Sequence, residues 1–165
     1  NHKYPYLGNS NVQWFKIHLT NLNEMEFDEN ERITFALRKG DILVCEGGEV
    51  GRSAIWQHDN LDIFFQKAIH RLRPRNVDIT PEYMVTLFRF FANFGGFKDY
   101  VSTSTISHLT GEKLKTIYIP LPPYDLQFQF AFYLKKLDES SEVLTNSNSE
   151  GLFHSLLQQA FNGEL

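Results

Sequence analysis

The sequence predicts an α+β chain: a mixed, twisted sheet domain followed by a long C-terminal helix that pairs in a coiled coil. Three observations carry this. Over Gly40–Trp56, GDILVCEGGEVGRSAIW, two short apolar and β-branched runs are punctuated by Gly47, Gly48 and Gly51. One helix has complete start and stop signals. Thr80 can cap it, Pro81 takes its first position, Glu82 suits the positive end of the dipole, and Gly95-Gly96 stops it. At Pro120-Leu121-Pro122-Pro123 the prolines rule out a central strand or a helix interior and make a rigid joint. The expected division is therefore 1–123 for the sheet domain and 124–165 for the helical region.

The expected strands are Val12–His18, Ile42–Cys45, Ser53–Trp56, Gln66–Leu72 and Ile117–Ile119. Inside the clear helix, Tyr83, Met84, Leu87, Phe88, Phe91 and Phe94 recur at helical spacing. A shorter helix is expected from Thr110. Asp125 can cap the last helix, where Leu126, Phe130, Tyr133, Leu137, Leu144 and Leu156 are the expected interface residues. Phe128–Tyr133 is apolar on more than one side, so one side can pack on the domain and the other on a second helix.

The 165 residues hold one ordinary domain and a little more, and an apolar fraction of 42% is ample for a core. No apolar run approaches the ~20 residues of a membrane span. The chain begins at Asn1, with no signal peptide in view, which reads as an excised piece. The single Cys45 cannot make an internal disulfide and fits a reducing cytoplasm. Net charge is −4, but it is unevenly spread. Lys67–Lys115 holds eight Lys/Arg against four Asp/Glu, a balance of +4, and the rest of the chain stands at −8. A basic face on an acidic protein can still track phosphates.

The glycine cluster lacks the Lys-Ser/Thr of a phosphate-binding loop and reads first as a hairpin turn. The same turn could bring backbone close to DNA, with Glu46 and Arg52 projecting beside it. On the presumed strand ending at Pro74, Lys67, Arg71 and Arg73 share one face with Ile69, and Gln66 and His70 share the other. Arg and Lys can pair with guanine or phosphate, and Gln with adenine. A solvated edge strand accounts for the same residues. His70 by itself reads as a structural histidine. The hydroxyl run Ser102–His108, which includes Ser104, can bind phosphates or simply form a polar loop. Trp14, Asn11 and Lys113 complete the candidate DNA-binding set. Pro122-Pro123-Tyr124 is not an amino-methyltransferase motif, because Leu121 stands where a hydrogen-bond acceptor is needed. No histidine pair has metal-ligand spacing, no nucleophile elbow is present, and no catalytic constellation is found.

Gly40–Trp56, FQKAIHRLRP (Phe65–Pro74) and ISHLTGEKLKTIYIPLPP (Ile106–Pro123), in this order, resemble the DNA-specificity subunit of type I restriction–modification systems, specifically one target-recognition domain and its following helix. The resemblance runs from Tyr4-Pro5-Tyr6 to Phe161-Asn162-Gly163-Glu164-Leu165. It implies sequence-specific recognition of double-stranded DNA without chemistry in this chain. It also implies a methylation subunit holding S-adenosylmethionine, a restriction subunit using ATP and magnesium, and a bacterial or archaeal cytoplasm. The family usually has two such domains and two helices paired antiparallel. One domain here implies either a fragment or a half-subunit that forms a homodimer through its helix. The family's Leu-Ala-Glu-Gln after Pro-Pro is here Tyr124-Asp125-Leu126-Gln127, which keeps Gln127 alone of the polar pair. Two further readings stay open: the specificity domain of a fused restriction–methylation or phage-defence enzyme, and a protein-interaction adaptor whose aromatic helix binds a partner.

Overall fold

The computed structural model describes residues 2–75, 78–101 and 108–143, with side chains as far as residue 137. In chain order it contains β1 (Lys3–Leu7), a 3-10 turn (Asn9–Asn11), β2 (Val12–Gln13), β3 (Lys16–Ile17), β4 (Asn23–Glu26) and α1 (Glu29–Thr34). There follow β5 (Ile42–Cys45), β6 (Ser53–Ile55), β7 (Phe64–Phe65), β8 (Ile69–Leu72), α2 (Pro81–Phe94), α3 (Gly111–Leu114) and α4 (Tyr124–Val143).

The layers are organised around β5, whose four residues are all buried. Strand side chains alternate between faces, so an apolar run buried throughout needs cover on both sides. β6 and β8 flank it antiparallel, in the order β6-β5-β8. Leu43 and Cys45 face a core with Leu7, Val12, Trp56 and Phe65. Ile42 and Val44 face a second core with Met84, Val85 and Phe88 of α2. A third core lies beyond α2, where Tyr83 and Leu87 meet Phe130 and Leu134 of α4. The order is therefore outer strands, central sheet, α2, α4. The outer sheet is mixed, with β1 antiparallel to β4 and parallel to β7.

α2 obeys its local signals. The Thr80 side chain accepts from the Tyr83 N–H, Pro81 opens the helix, and Gly95 ends it at φ 74°. α1 is closed by a capping box, in which Asp28 accepts from the Glu31 N–H and the Glu31 carboxylate accepts from the Asp28 N–H.

Three expected strands need correction. Val12–His18 is a tight hairpin, β2 paired to β3 around Trp14-Phe15. Phe15 has φ 63°, a conformation that bulky residues disfavour. It is held by its N–H donating to the Ser53 carbonyl at 3.0 Å. The expected strand Gln66–Leu72 begins only at Ile69, because Phe64–Phe65 pairs with β1 in the other sheet and the chain must turn between the two. The Ile69 N–H bonds to the Gln66 carbonyl across that turn. Ile117–Ile119 forms no strand: Ile117 is buried by packing, without a hydrogen-bond ladder.

α4 is fixed by Gln127, which is fully buried. Its Oε1 accepts from the Thr80 N–H at 3.0 Å, and its Nε2 donates to the carbonyls of Asp78 and Pro122. These bonds lock the start of α4 to the start of α2. Of the expected helix-interface residues, Phe130 and Leu137 face α2 within this chain, while Leu126 and Tyr133 are exposed. Leu144 and Leu156 lie outside the described residues. Among the described residues, no helix is long and apolar enough to cross a membrane.

Candidate nucleic-acid interface

The loop between β5 and β6, residues 46–52, meets five other segments. The Glu46 N–H donates to the Ala68 carbonyl and the Glu46 carbonyl accepts from the Leu109 N–H, at 3.0 and 2.8 Å. These bonds tie the loop to the turn before β8 and to the segment entering α3. A Cβ on Gly47 would stand 3.1 Å from the His108 ring, so glycine lets the loop lie that close. At Gly51, with φ 77°, a Cβ would stand 2.2 Å from the Phe97 ring. The Glu49 carboxylate accepts from Trp14 Nε1 at 2.5 Å and pairs with Arg89 of α2 at 3.1 Å. Arg89 also lies over the Trp14 ring, 5.1 Å from its centroid. A shallow open cavity of about 210 Å³ adjoins this cluster, lined by Glu49, Phe91, Phe97 and Lys98 among others.

The structure divides the candidate residues between two ends of the sheet. Gln66 and Lys67 sit in the turn at the hairpin end. Lys67 is exposed, with no side-chain partner among the described residues, and Gln66 lies beside Gly8. Trp14 is there too. Glu46 faces His70 at 3.4 Å, and His70 Nε2 bonds the Leu109 carbonyl at 3.1 Å, so both hold the loop to the sheet. Arg52 points inward. One Nη2 hydrogen bond goes to the Asn9 carbonyl at 2.9 Å and another to Cys45 Sγ. Burial raises the Cys45 thiol pKa, and Arg52 partly opposes that shift. Asn11 is buried: its Oδ1 accepts from the Gly8 N–H and its Nδ2 donates to the carbonyls of His18 and Thr20. Lys113 lies on α3, two residues after Gly111, which is close against the His70 ring. Ser104 lies outside the described residues.

At the far end, Arg71 and Arg73 are held by the protein itself. Arg71 Nη1 donates to the carbonyls of Thr34 and Ala36, at 3.0 and 2.5 Å. Partial burial lowers its pKa. Arg73 makes a two-pronged pair with Asp41, at 2.6 and 2.7 Å, and this bonding raises its pKa. The Asp41 carboxylate is only 1% exposed and also accepts from the Arg38 N–H. A strand periodicity alone groups Lys67, Arg71 and Arg73 on one face. The ladder separates them, since Ile69 pairs with Cys45 at the loop end and Leu72 pairs with Ile42.

Sequence reasoning missed Arg89 and Glu49. One signal was available: Arg89 is the sole charge between Glu82 and Lys98, in an otherwise apolar and aromatic helix. Among the described residues, no group of three or more His, Cys, Asp or Glu is placed to hold a metal ion.

Loops positioned by a rigid sheet are a common place for binding residues. The chain belongs to the family of type I restriction modification DNA specificity domains, whose model matches residues 1–150. It is 30% identical over 141 residues to a protein of Methanocaldococcus jannaschii named as a putative type I restriction enzyme specificity subunit, a match covering 82% of this chain and 33% of the relative. It is 28% identical over 130 residues to a similarly named protein of Haemophilus influenzae, covering 79% of this chain and 31% of that one. Two solved structures share the fold. One is the HsdS subunit from Thermoanaerobacter tengcongensis, with a TM-score of 0.62 and 18% identity, covering 87% of this chain and 38% of that one. The other was determined for complex assembly and conformational transition of the type I R-M system, with a TM-score of 0.61 and 19% identity, covering 100% of this chain and 40% of that one. The chain thus spans about a third of the length of these curated relatives.

Proposed function

We propose that this chain recognises a short run of base pairs on double-stranded DNA through the hairpin end of its central sheet. It acts as a specificity component of a type I restriction–modification complex. The observation that carries this reading is the convergence of the residue 46–52 loop, the Trp14 turn, Lys67 and Arg89 on one rigid end of a chain belonging to the DNA specificity family. Arg forks and Lys ammonium groups supply base-edge and phosphate contacts. In this reading the chain contributes address and no chemistry. S-adenosylmethionine, ATP and magnesium belong to the methylation and restriction subunits, in a bacterial or archaeal cytoplasm. Residues 1–123 form the recognition domain, and residues 124–165 form a spacer whose helix pairs with a second helix. Leu126 and Tyr133, seven residues apart and both exposed, support that pairing.

The test is a map of adenine methylation in cells expressing the chain with its methylation subunit, against cells lacking the chain. The expected result is a chain-dependent, bipartite motif, palindromic where two copies pair through α4. Methylation with no chain-dependent motif would refute the reading.

A further inference from the structure

Residues 66–68 make the turn that carries the chain from the outer sheet into the central one. Phe65 pairs with Leu7 on one side of it, and Ile69 pairs with Cys45 on the other. Backbone hydrogen bonds hold the turn in place. The Gln66 N–H donates to the Leu7 carbonyl at 3.2 Å, and the Gln66 carbonyl accepts from the Ile69 N–H at 3.0 Å. The Ala68 carbonyl accepts from the Glu46 N–H, which ties the turn to the loop between β5 and β6. We propose that Gln66 is a specificity-determining residue that reads an adenine in the major groove. This rests on the DNA reading above and deepens it.

Gln66 combines a fixed mount with unused hydrogen-bonding capacity. Other amides of this chain are engaged internally. Asn11 gives its Oδ1 to the Gly8 N–H and its Nδ2 to two carbonyls. Gln127 uses both ends of its amide at the start of α2. The backbone of Gln66 is engaged just as fully, yet its side-chain amide makes no hydrogen bond among the described residues. The residue is half-buried, so its stem is confined while the Oε1 acceptor and the Nε2 donors remain for a ligand. A Cβ on Gly8 would stand 3.5 Å from Nε2, and glycine there puts no side chain over that side of the amide. One donor beside one acceptor matches the adenine edge, with Nε2 donating to N7 and Oε1 accepting from the N6 amino group. Guanine presents two acceptors, N7 and O6, on the same edge, so an oxygen would face Oε1. That mismatch supplies discrimination by penalising the wrong base. A side chain already confined by packing also loses less freedom on binding than one on an open surface. Lys67 follows directly, exposed and with no side-chain partner among the described residues. Its ammonium supplies a phosphate contact that sets register without reading sequence.

The experiment maps methylated motifs in cells expressing the full-length protein with its methylation subunit, for wild type, Gln66→Ala and Gln66→Glu. In Gln66→Ala the expected result is loss of discrimination at one A·T pair outside the methylated adenine, by about tenfold or more, with the other positions unchanged. Gln66→Glu keeps the shape but replaces the Nε2 donors with an oxygen. It should shift the same position from adenine toward cytosine, whose N4 amino group donates. Three results overturn the proposal. The first is an unchanged motif in Gln66→Ala, or an adenine preference that Gln66→Glu keeps. The second is a uniform fall or a complete loss of methylation in both variants, since that marks a supporting role for the turn. The third is relaxation at a G·C pair. Where Gln66→Ala alone abolishes methylation by misfolding, the position altered by Gln66→Glu decides. A wild-type map without any chain-dependent motif would overturn the DNA reading itself, and this proposal with it.

Discussion

The two ends of the central sheet carry the same kinds of residue for different purposes. At the far end, Arg73 closes on the buried Asp41 and Arg71 binds the carbonyls of Thr34 and Ala36. At the hairpin end, Lys67 is exposed, and Arg89 is held between Trp14 and Glu49 at the surface. The first end uses cations to satisfy oxygens that the fold has buried. The second leaves Lys67 exposed and seats Arg89 in a partly exposed ion pair. A basic stretch in a sequence is therefore not a footprint until each cation has been matched to what it binds within the chain.

That contrast can be broken by substitution, and the largest effects on stability should come from the frame and the far end. Gly51→Ala combines positive φ with a clash against Phe97, and it should destabilise the chain by about 3 kcal/mol or more, read from the denaturant midpoint. Arg73→Ala leaves the Asp41 carboxylate buried without its main partner and should cost about 3 kcal/mol, while the methylated motif stays as in wild type. A changed motif there would move Arg73 to the reading surface. Arg71→Ala uncovers two carbonyls and should cost about 1–2 kcal/mol, again with the motif unchanged. Lys67→Ala should change stability by less than about 0.5 kcal/mol. It should nevertheless lower the slope of log K against log salt for duplex binding by about 1. An unchanged salt slope would place Lys67 outside the interface.

The legible parts of the fold were those set by local chemistry. Thr80, Pro81 and Gly95 bounded α2 because cap, first-turn and stop residues act within a few positions of themselves. β5 was legible because four consecutive apolar residues need cover on both faces. β4 was not, since Asn23–Glu26 is exposed throughout and pairs with β1 through backbone bonds that leave no apolar pattern. Ile117–Ile119 misled for the opposite reason: an apolar run was buried by packing without joining a sheet. For the site, Trp14 and Lys67 were within reach of sequence reasoning. The value of Arg89 depended on a contact with Glu49, 40 positions away. Gln127 matched the family pattern, yet its work at the start of α2 is visible only in three dimensions.

Gly47 and Gly51 have a consequence for inheritance. Each lies against an aromatic ring: a Cβ at Gly51 would overlap Phe97, and one at Gly47 would press closely on His108. Between these two posts, Glu49 is nearly half exposed. Gly48 has open space at its Cβ position, although its φ of 79° narrows the choice to residues that tolerate the left-handed region, such as Asn or Asp. Substitution at these positions alters what is presented while the posts still set where it is presented. If the loop reads DNA as proposed, a lineage under pressure to change its address could do so by single codon changes inside the posts, while the core behind them stays as it is.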